Sequence, residues 1–84
     1  MIQKYITNDT VNLVSSVVYA EKDNYTYEWY VDSDLISTEY STTYKFKYNG
    51  SFVIKLVVTD ISNGYKTNTI TTVVVTIKSQ KKIP

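Results

Sequence analysis

Apolar and polar positions alternate with a period of two along most of the chain, and this pattern predicts strands. Between Thr10 and Tyr19, Val11, Leu13, Ser15 and Val17 share one face, while Asn12, Val14, Ser16 and Val18 share the other. The polar run Glu21-Lys22-Asp23-Asn24 interrupts it and predicts a hairpin-like reversal, because Asp and Asn side chains satisfy turn backbone locally. The next segment sets Tyr25, Tyr27, Trp29 and Val31 against Thr26, Glu28, Tyr30 and Asp32. A helix would bring its apolar residues back at spacings of three and four instead.

Asp32-Ser33-Asp34 predicts a turn before a weaker extended piece, Leu35 to Tyr40. Tyr44 and Phe46 then alternate with Lys45 and Lys47, and Asn49-Gly50 supplies a pair that tolerates positive φ where the chain reverses. Phe52, Ile54, Leu56 and Val58 against Val53, Lys55, Val57 and Thr59 form the most regular run, which Asp60 ends. Asn63-Gly64 repeats the turn chemistry before a β-branched run from Tyr65 to Ile77. A weak first strand falls near Lys4 to Thr7. Turn signals every 8–12 residues and six to seven strands predict an all-β fold, a small antiparallel immunoglobulin-like β-sandwich.

Composition sharpens this. Val, Ile and Thr make up 31 of 84 residues and aromatic residues 12, whereas Ala occurs once and Leu three times. The length predicts one domain over 1–84, with its core at about 5–78 and a polar tail or linker at 79–84. With no His, Cys or Arg, the chain lacks the groups for His-dependent nucleophiles, His/Cys zinc sites and Arg clamps. A net charge of +1 provides no basic field for nucleic acid, and the Lys cluster at Lys78, Lys81 and Lys82 sits in the tail. No apolar stretch reaches the roughly 20 residues that span a bilayer.

Tyr27-Glu28-Trp29, followed by Phe46-Lys47-Tyr48-Asn49-Gly50-Ser51-Phe52 and Val53-Ile54-Lys55-Leu56-Val57-Val58-Thr59-Asp60, resembles the PKD (polycystic kidney disease repeat) domain over about residues 10–77. The family usually has Trp-Asp-Phe-Gly-Asp-Gly where Trp29 is followed by Tyr30-Val31-Asp32-Ser33-Asp34. In that respect the chain is similar to the PKD-like modules of Bacteroidetes surface lipoproteins. The resemblance implies a non-catalytic spacer or docking module within a multi-domain bacterial protein, at the cell surface or otherwise extracellular. Its partners would be neighbouring domains or another surface protein.

Parity assigns Trp29, Tyr27, Phe46 and Phe52 to the inter-sheet core with Ile54, Leu56 and Val75. Tyr30, Val53, Val57 and Val74 fall on outward parity and form a candidate interaction face. Tyr5, Tyr40, Tyr48 and Tyr65 fall in turns or at strand ends. They are candidate glycan contacts for a second reading, a carbohydrate-binding module for polysaccharide, and compete with a simple end-capping role.

Asp32, Asp34 and Glu39, with Asp23 and Asn24, carry oxygen atoms suited to calcium, yet Asp32-Ser33-Asp34 lacks the Gly and terminal Glu of an EF-hand loop and reads as a solvated turn. A carboxylate pair among Glu28, Asp32 and Glu39 is the one hydrolytic arrangement the inventory leaves, and loops this short argue against a water-excluding pocket. The chain therefore reads as no enzyme, with no cofactor and no resident metal. Asn8, Asn24 and Asn49 each begin a glycosylation sequon. Self-association through an open sandwich edge is opposed by Lys45 and Lys47, which read as edge-protecting charges.

Overall fold

The computed structural model describes residues 2–77; the expected tail at 79–84 and the Lys78, Lys81, Lys82 cluster lie outside the described residues. Seven strands occur in the order β1 (Ile2–Ile6), β2 (Thr10–Val14), β3 (Tyr25–Val31), β4 (Asp34–Ser37), β5 (Ser41–Lys45), β6 (Gly50–Asp60) and β7 (Lys66–Thr76). They form two sheets, one ordered β1-β7-β6-β3-β4 and one holding β2 and β5. The fold is an all-β sandwich.

Between the sheets lie Val11 and Leu13 of β2, Tyr27, Trp29 and Val31 of β3, Ile54 and Leu56 of β6, Val73 and Val75 of β7, and Phe46. These are the inward positions of each alternation, and Phe52, expected in the core, is half-buried against it. Phe46 fills the end of the layer, with Tyr44 edge-on at 4.9 Å and the Phe52 ring centroid also at 4.9 Å. Trp29, also buried, donates its indole N–H to the Glu39 carbonyl at 2.8 Å.

Three expectations are corrected. The segment after Val14 is not strand: the Ser15 hydroxyl accepts the Val17 N–H at 3.1 Å, a local turn bond that ends extended pairing, and Tyr19–Asn24 forms a short 3-10 helix. Glu21 to Asn24 therefore makes no hairpin, because β2 pairs with β5 in one sheet and β3 with β6 in the other. The sandwich is also not wholly antiparallel. β1 runs parallel to β7, with Ile2 beside Thr72 and Ile6 beside Thr76, and the chain then crosses to the second sheet to begin β2.

The signals at Asp32-Ser33-Asp34 and Asn63-Gly64 are realised as turns. Asp32 takes φ 54° and closes the tight β3–β4 turn. Gly64, at φ 74°, donates its N–H to the Asp60 carbonyl at 2.7 Å, a left-handed position that suits glycine. Serine also supports this turn: Ser62 N–H and hydroxyl both donate to Asp60 Oδ1, holding the Asp60 carboxyl below its ordinary value.

Candidate interaction face

The outer face of the five-stranded sheet is built by the register of four strands. Leu35 of β4 lies beside Tyr30 of β3, Tyr30 beside Lys55 of β6, and Lys55 beside Ile70 of β7. At about 4.8 Å per strand this row crosses roughly 14 Å of sheet. Leu35 is 52% exposed and Ile70 62% exposed, and the Lys55 ammonium sits 4.9 Å from the centre of the Tyr30 ring. That contact lays the lysine stem along the sheet, so the row presents apolar surface with one cation over an aromatic face.

All four residues of the expected face have outward parity, and the structure treats them unequally. Val53 is exposed, Tyr30 and Val74 are half-buried, and Val57 is only 8% exposed although it lies outside the core cluster. Glu28 and Asn68 flank Val57 across the two neighbouring strands. It is a covered position and offers little surface, which corrects its assignment to the face. Leu35 and Ile70 were missed. Ile70 shares the parity of Val74 and was legible by counting along β7; Leu35 needed the β3–β4 register, which alternation alone does not set.

The opposite outer surface is different in kind. On the two-stranded sheet, Thr10 lies beside Lys45, Asn12 beside Thr43 and Val14 beside Ser41, leaving Val14 as its lone apolar member. An apolar row on one face and a polar surface on the other is the asymmetry expected of a module with one contact side.

The four tyrosines expected to contact glycan do not converge. Tyr5 is half-buried and near-parallel to Phe46 at 6.5 Å. Tyr40 is half-buried between Tyr19 and Tyr27, edge-on to each at 5.5 Å, and its hydroxyl donates to the Val17 carbonyl. Tyr48 and Tyr65 are 75% and 71% exposed, and they sit at opposite ends of β6. Eleven residues of strand separate those ends, roughly 33 Å.

Two of the concavities among the described residues are lined by core side chains. A groove of about 600 Å³ runs beside the half of β3 that β4 does not cover, lined by Tyr25, Tyr27, Glu28, Glu39, Tyr40 and Lys66 among others. Its Tyr27 hydroxyl donates to the Lys22 carbonyl at 2.8 Å, and burial pushes the Tyr27 phenol above its ordinary value. Lys22 pairs with Asp23 at 2.9 Å, which raises the lysine pKa. A second cleft of about 340 Å³ opens between β2 and β7 over Leu13, Trp29 and Leu56, walled by Thr69 and Thr71.

Glu28 and Glu39 share the first groove, while Asp32 does not: its Oδ1 accepts the Val53 N–H at 3.0 Å and its own N–H donates to the Val53 carbonyl at 2.7 Å. Two of the three carboxylates considered for hydrolysis thus line one groove, and Asp32 lies outside it. Among the described residues no group of three or more His, Cys, Asp or Glu side chains could hold a metal ion, and no helix is long and apolar enough to cross a membrane.

No model of a known protein family matches the chain, and no curated protein matches it in sequence. Its fold is similar to part of a solved structure described as a quinonprotein alcohol dehydrogenase-like protein from Bacteroides thetaiotaomicron. The superposition has a TM-score of 0.71 at 19% identity, covering 88% of this chain and 17% of that one. At that identity the likeness shows the fold alone. The chain spans less than a fifth of the length of the protein it matches.

Proposed function

We propose that this chain is a non-catalytic PKD-like module that spaces or docks other domains of a multi-domain bacterial cell-surface protein. The observation that carries the reading is the row Leu35–Tyr30–Lys55–Ile70 on one outer face of the sandwich, half-buried in its middle and exposed at its Leu35 and Ile70 ends. The fold occurs as 17% of a longer Bacteroides chain, which supports a module built into a larger protein. Its mechanism is steric: a dry core keeps two sheets at fixed spacing, and the apolar row seats a neighbour.

The test pairs Leu35→Ser with Ile70→Ser. Both side chains are exposed, so the isolated domain should keep its stability within about 0.5 kcal/mol. In a longer segment of the parent protein the same pair should loosen the neighbouring domain and speed its proteolysis. Unchanged proteolysis there, or a reading frame that encodes no further domain, refutes docking.

A carbohydrate-binding module is the second reading, and the groove that holds Tyr40, one of the four tyrosines expected from sequence, with Tyr25, Glu28 and Glu39 favours it. Trp29 lines the other cleft and bonds to the carbonyl of Glu39, which lines this groove, so its fluorescence responds to a ligand in either. Titration with soluble oligosaccharides that shifts Trp29 emission would promote this reading; a flat response across the panel would remove it.

A further inference from the structure

β3 is an interior strand along only part of its length. β6 pairs with it from Tyr25 to Val31, whereas β4 meets its other side only from Trp29 to Val31. Two flanking bonds, Asp32 N–H to the Val53 carbonyl and Ile61 N–H to the Asn24 carbonyl, fix which backbone groups face β6. These groups alternate along an antiparallel pair, so Thr26, Glu28 and Tyr30 turn theirs toward β6, while Tyr25, Tyr27 and Trp29 turn theirs away. Continuing the β4 register from Ser37 beside Trp29 would set Glu39 opposite Tyr27. Glu39 does not take that place, because its N–H donates to Ser37 Oγ at 3.1 Å and its carbonyl accepts the Trp29 indole. The Tyr25 N–H is met by the Lys22 carbonyl. Among the described residues no strand or turn bond meets the Tyr25 carbonyl or the Tyr27 N–H and carbonyl, which face the groove of about 600 Å³. Tyr27 is only 5% exposed, and backbone groups in so covered a residue are costly to leave unpaired.

We infer that this gap takes an extended peptide segment, which adds a short strand to β3 and carries a lysine or arginine beside Glu28. A carbonyl, an N–H and a second carbonyl in line are the pairing pattern of a strand, and one peptide residue opposite Tyr27 exchanges both bonds with it. The neighbours of that residue fall opposite Thr26 and Glu28 and point to the outer face. Glu28 has Val57 on its β6 side, and among the described residues neither Glu28 nor Glu39 forms an ion pair. Of the groove's lysines, Lys22 is taken by Asp23, and Lys66 lies two strands from Glu28, beyond β6. A cation on the added strand would therefore meet an uncompensated carboxylate at a fixed register position. The other long free edge on the second sheet, β5, carries Lys45 with Lys47 just beyond, charges of the kind that oppose such pairing. The β3 gap lies apart from the Leu35–Ile70 row, so loss of docking there would leave it standing.

The probe is acetyl-Thr-Lys-Val-Lys-Thr-amide, read by amide proton–nitrogen spectra of the labelled chain. With its valine opposite Tyr27, one lysine falls beside Glu28. The Tyr27 amide should shift and its hydrogen exchange should slow, saturating at roughly millimolar peptide. Methylating the valine nitrogen removes the donor to the Tyr27 carbonyl and should weaken binding about tenfold or more. Glu28→Gln should weaken it about twofold to fivefold, with the rest of the unliganded spectrum unchanged. A Tyr27 amide unmoved at roughly 10 mM peptide overturns the inference. So does equal binding by the methylated peptide, or by one with glutamate in place of both lysines. Soluble oligosaccharides that shift the Tyr27 amide when the peptide does not overturn it in favour of a sugar in this groove.

Discussion

The indole N–H of Trp29, on β3 of the five-stranded sheet, donates at 2.8 Å to the carbonyl of Glu39, in the segment that carries the chain across to the two-stranded sheet. One side chain thus fills the core and pins the crossover. Trp29→Ala should cost about 3–5 kcal/mol, enough to unfold much of a domain this small. Trp29→Phe keeps most of the packing and returns Glu39 to water, so urea melts should show a smaller loss of about 1–2 kcal/mol. Equal losses for the two variants would remove the pinning role.

Tyr40 fixes the same crossover from the other side. Its hydroxyl donates to the Val17 carbonyl, while its own carbonyl accepts the Ser15 N–H at 3.1 Å. Tyr40→Phe retains the edge-on contacts with Tyr19 and Tyr27 and should cost about 1 kcal/mol in thermal or urea unfolding. No loss would mean the bond to Val17 is matched by water.

The Tyr27 phenol donates to the Lys22 carbonyl and is pushed above the ordinary tyrosine value by burial, with Tyr40 next in effect. Below about pH 10 both folded and unfolded chains keep this proton, and the contribution to stability is complete. Above that pH the unfolded chain ionises first and binds fewer protons, so stability falls as pH rises through the folded value. Melts recorded from neutral to alkaline pH should decline in this window, and Tyr27→Phe should flatten the decline. An identical decline in the variant would assign it to other groups.

Asp32 holds a left-handed backbone and bonds twice to Val53, through Oδ1 and through its N–H. Asp32→Asn keeps an oxygen acceptor and a residue type that tolerates this backbone, and should shift stability by less than about 0.5 kcal/mol. Asp32→Ala loses the bond and adds strain, costing about 1–2 kcal/mol. Denaturant midpoints that rank the two the other way would argue against the turn being held by the carboxylate.

Much of the fold was legible because a period of two assigns each residue to a face. The inward set Tyr27, Trp29, Phe46, Ile54, Leu56 and Val75 follows from alternation alone, and Asn63-Gly64 marks its turn through backbone chemistry. Alternation does not choose a partner strand. Thr10–Val14 has the same pattern whether it pairs with β3 or with β5, so the crossing between sheets and the parallel β1 had to come from the structure. The pattern also ran on too far, because Val17 and Val18 continue the parity of β2 after Ser15 has ended its pairing. The interaction face was half legible for the same reason: parity places Tyr30, Val53 and Ile70 outward, but only the register brings Leu35 into the row, and only burial shows that Val57 is covered.

The docking role proposed for this face is tested most directly by amide hydrogen exchange on the isolated 84 residues and on a longer segment of the parent protein. Exchange along Tyr30, Val53, Lys55 and Ile70 should slow in the longer chain while the Thr10–Lys45 face stays unchanged, because seating a neighbour shields the apolar row. Equal exchange along that row in both, with protection elsewhere or nowhere, would contradict the account.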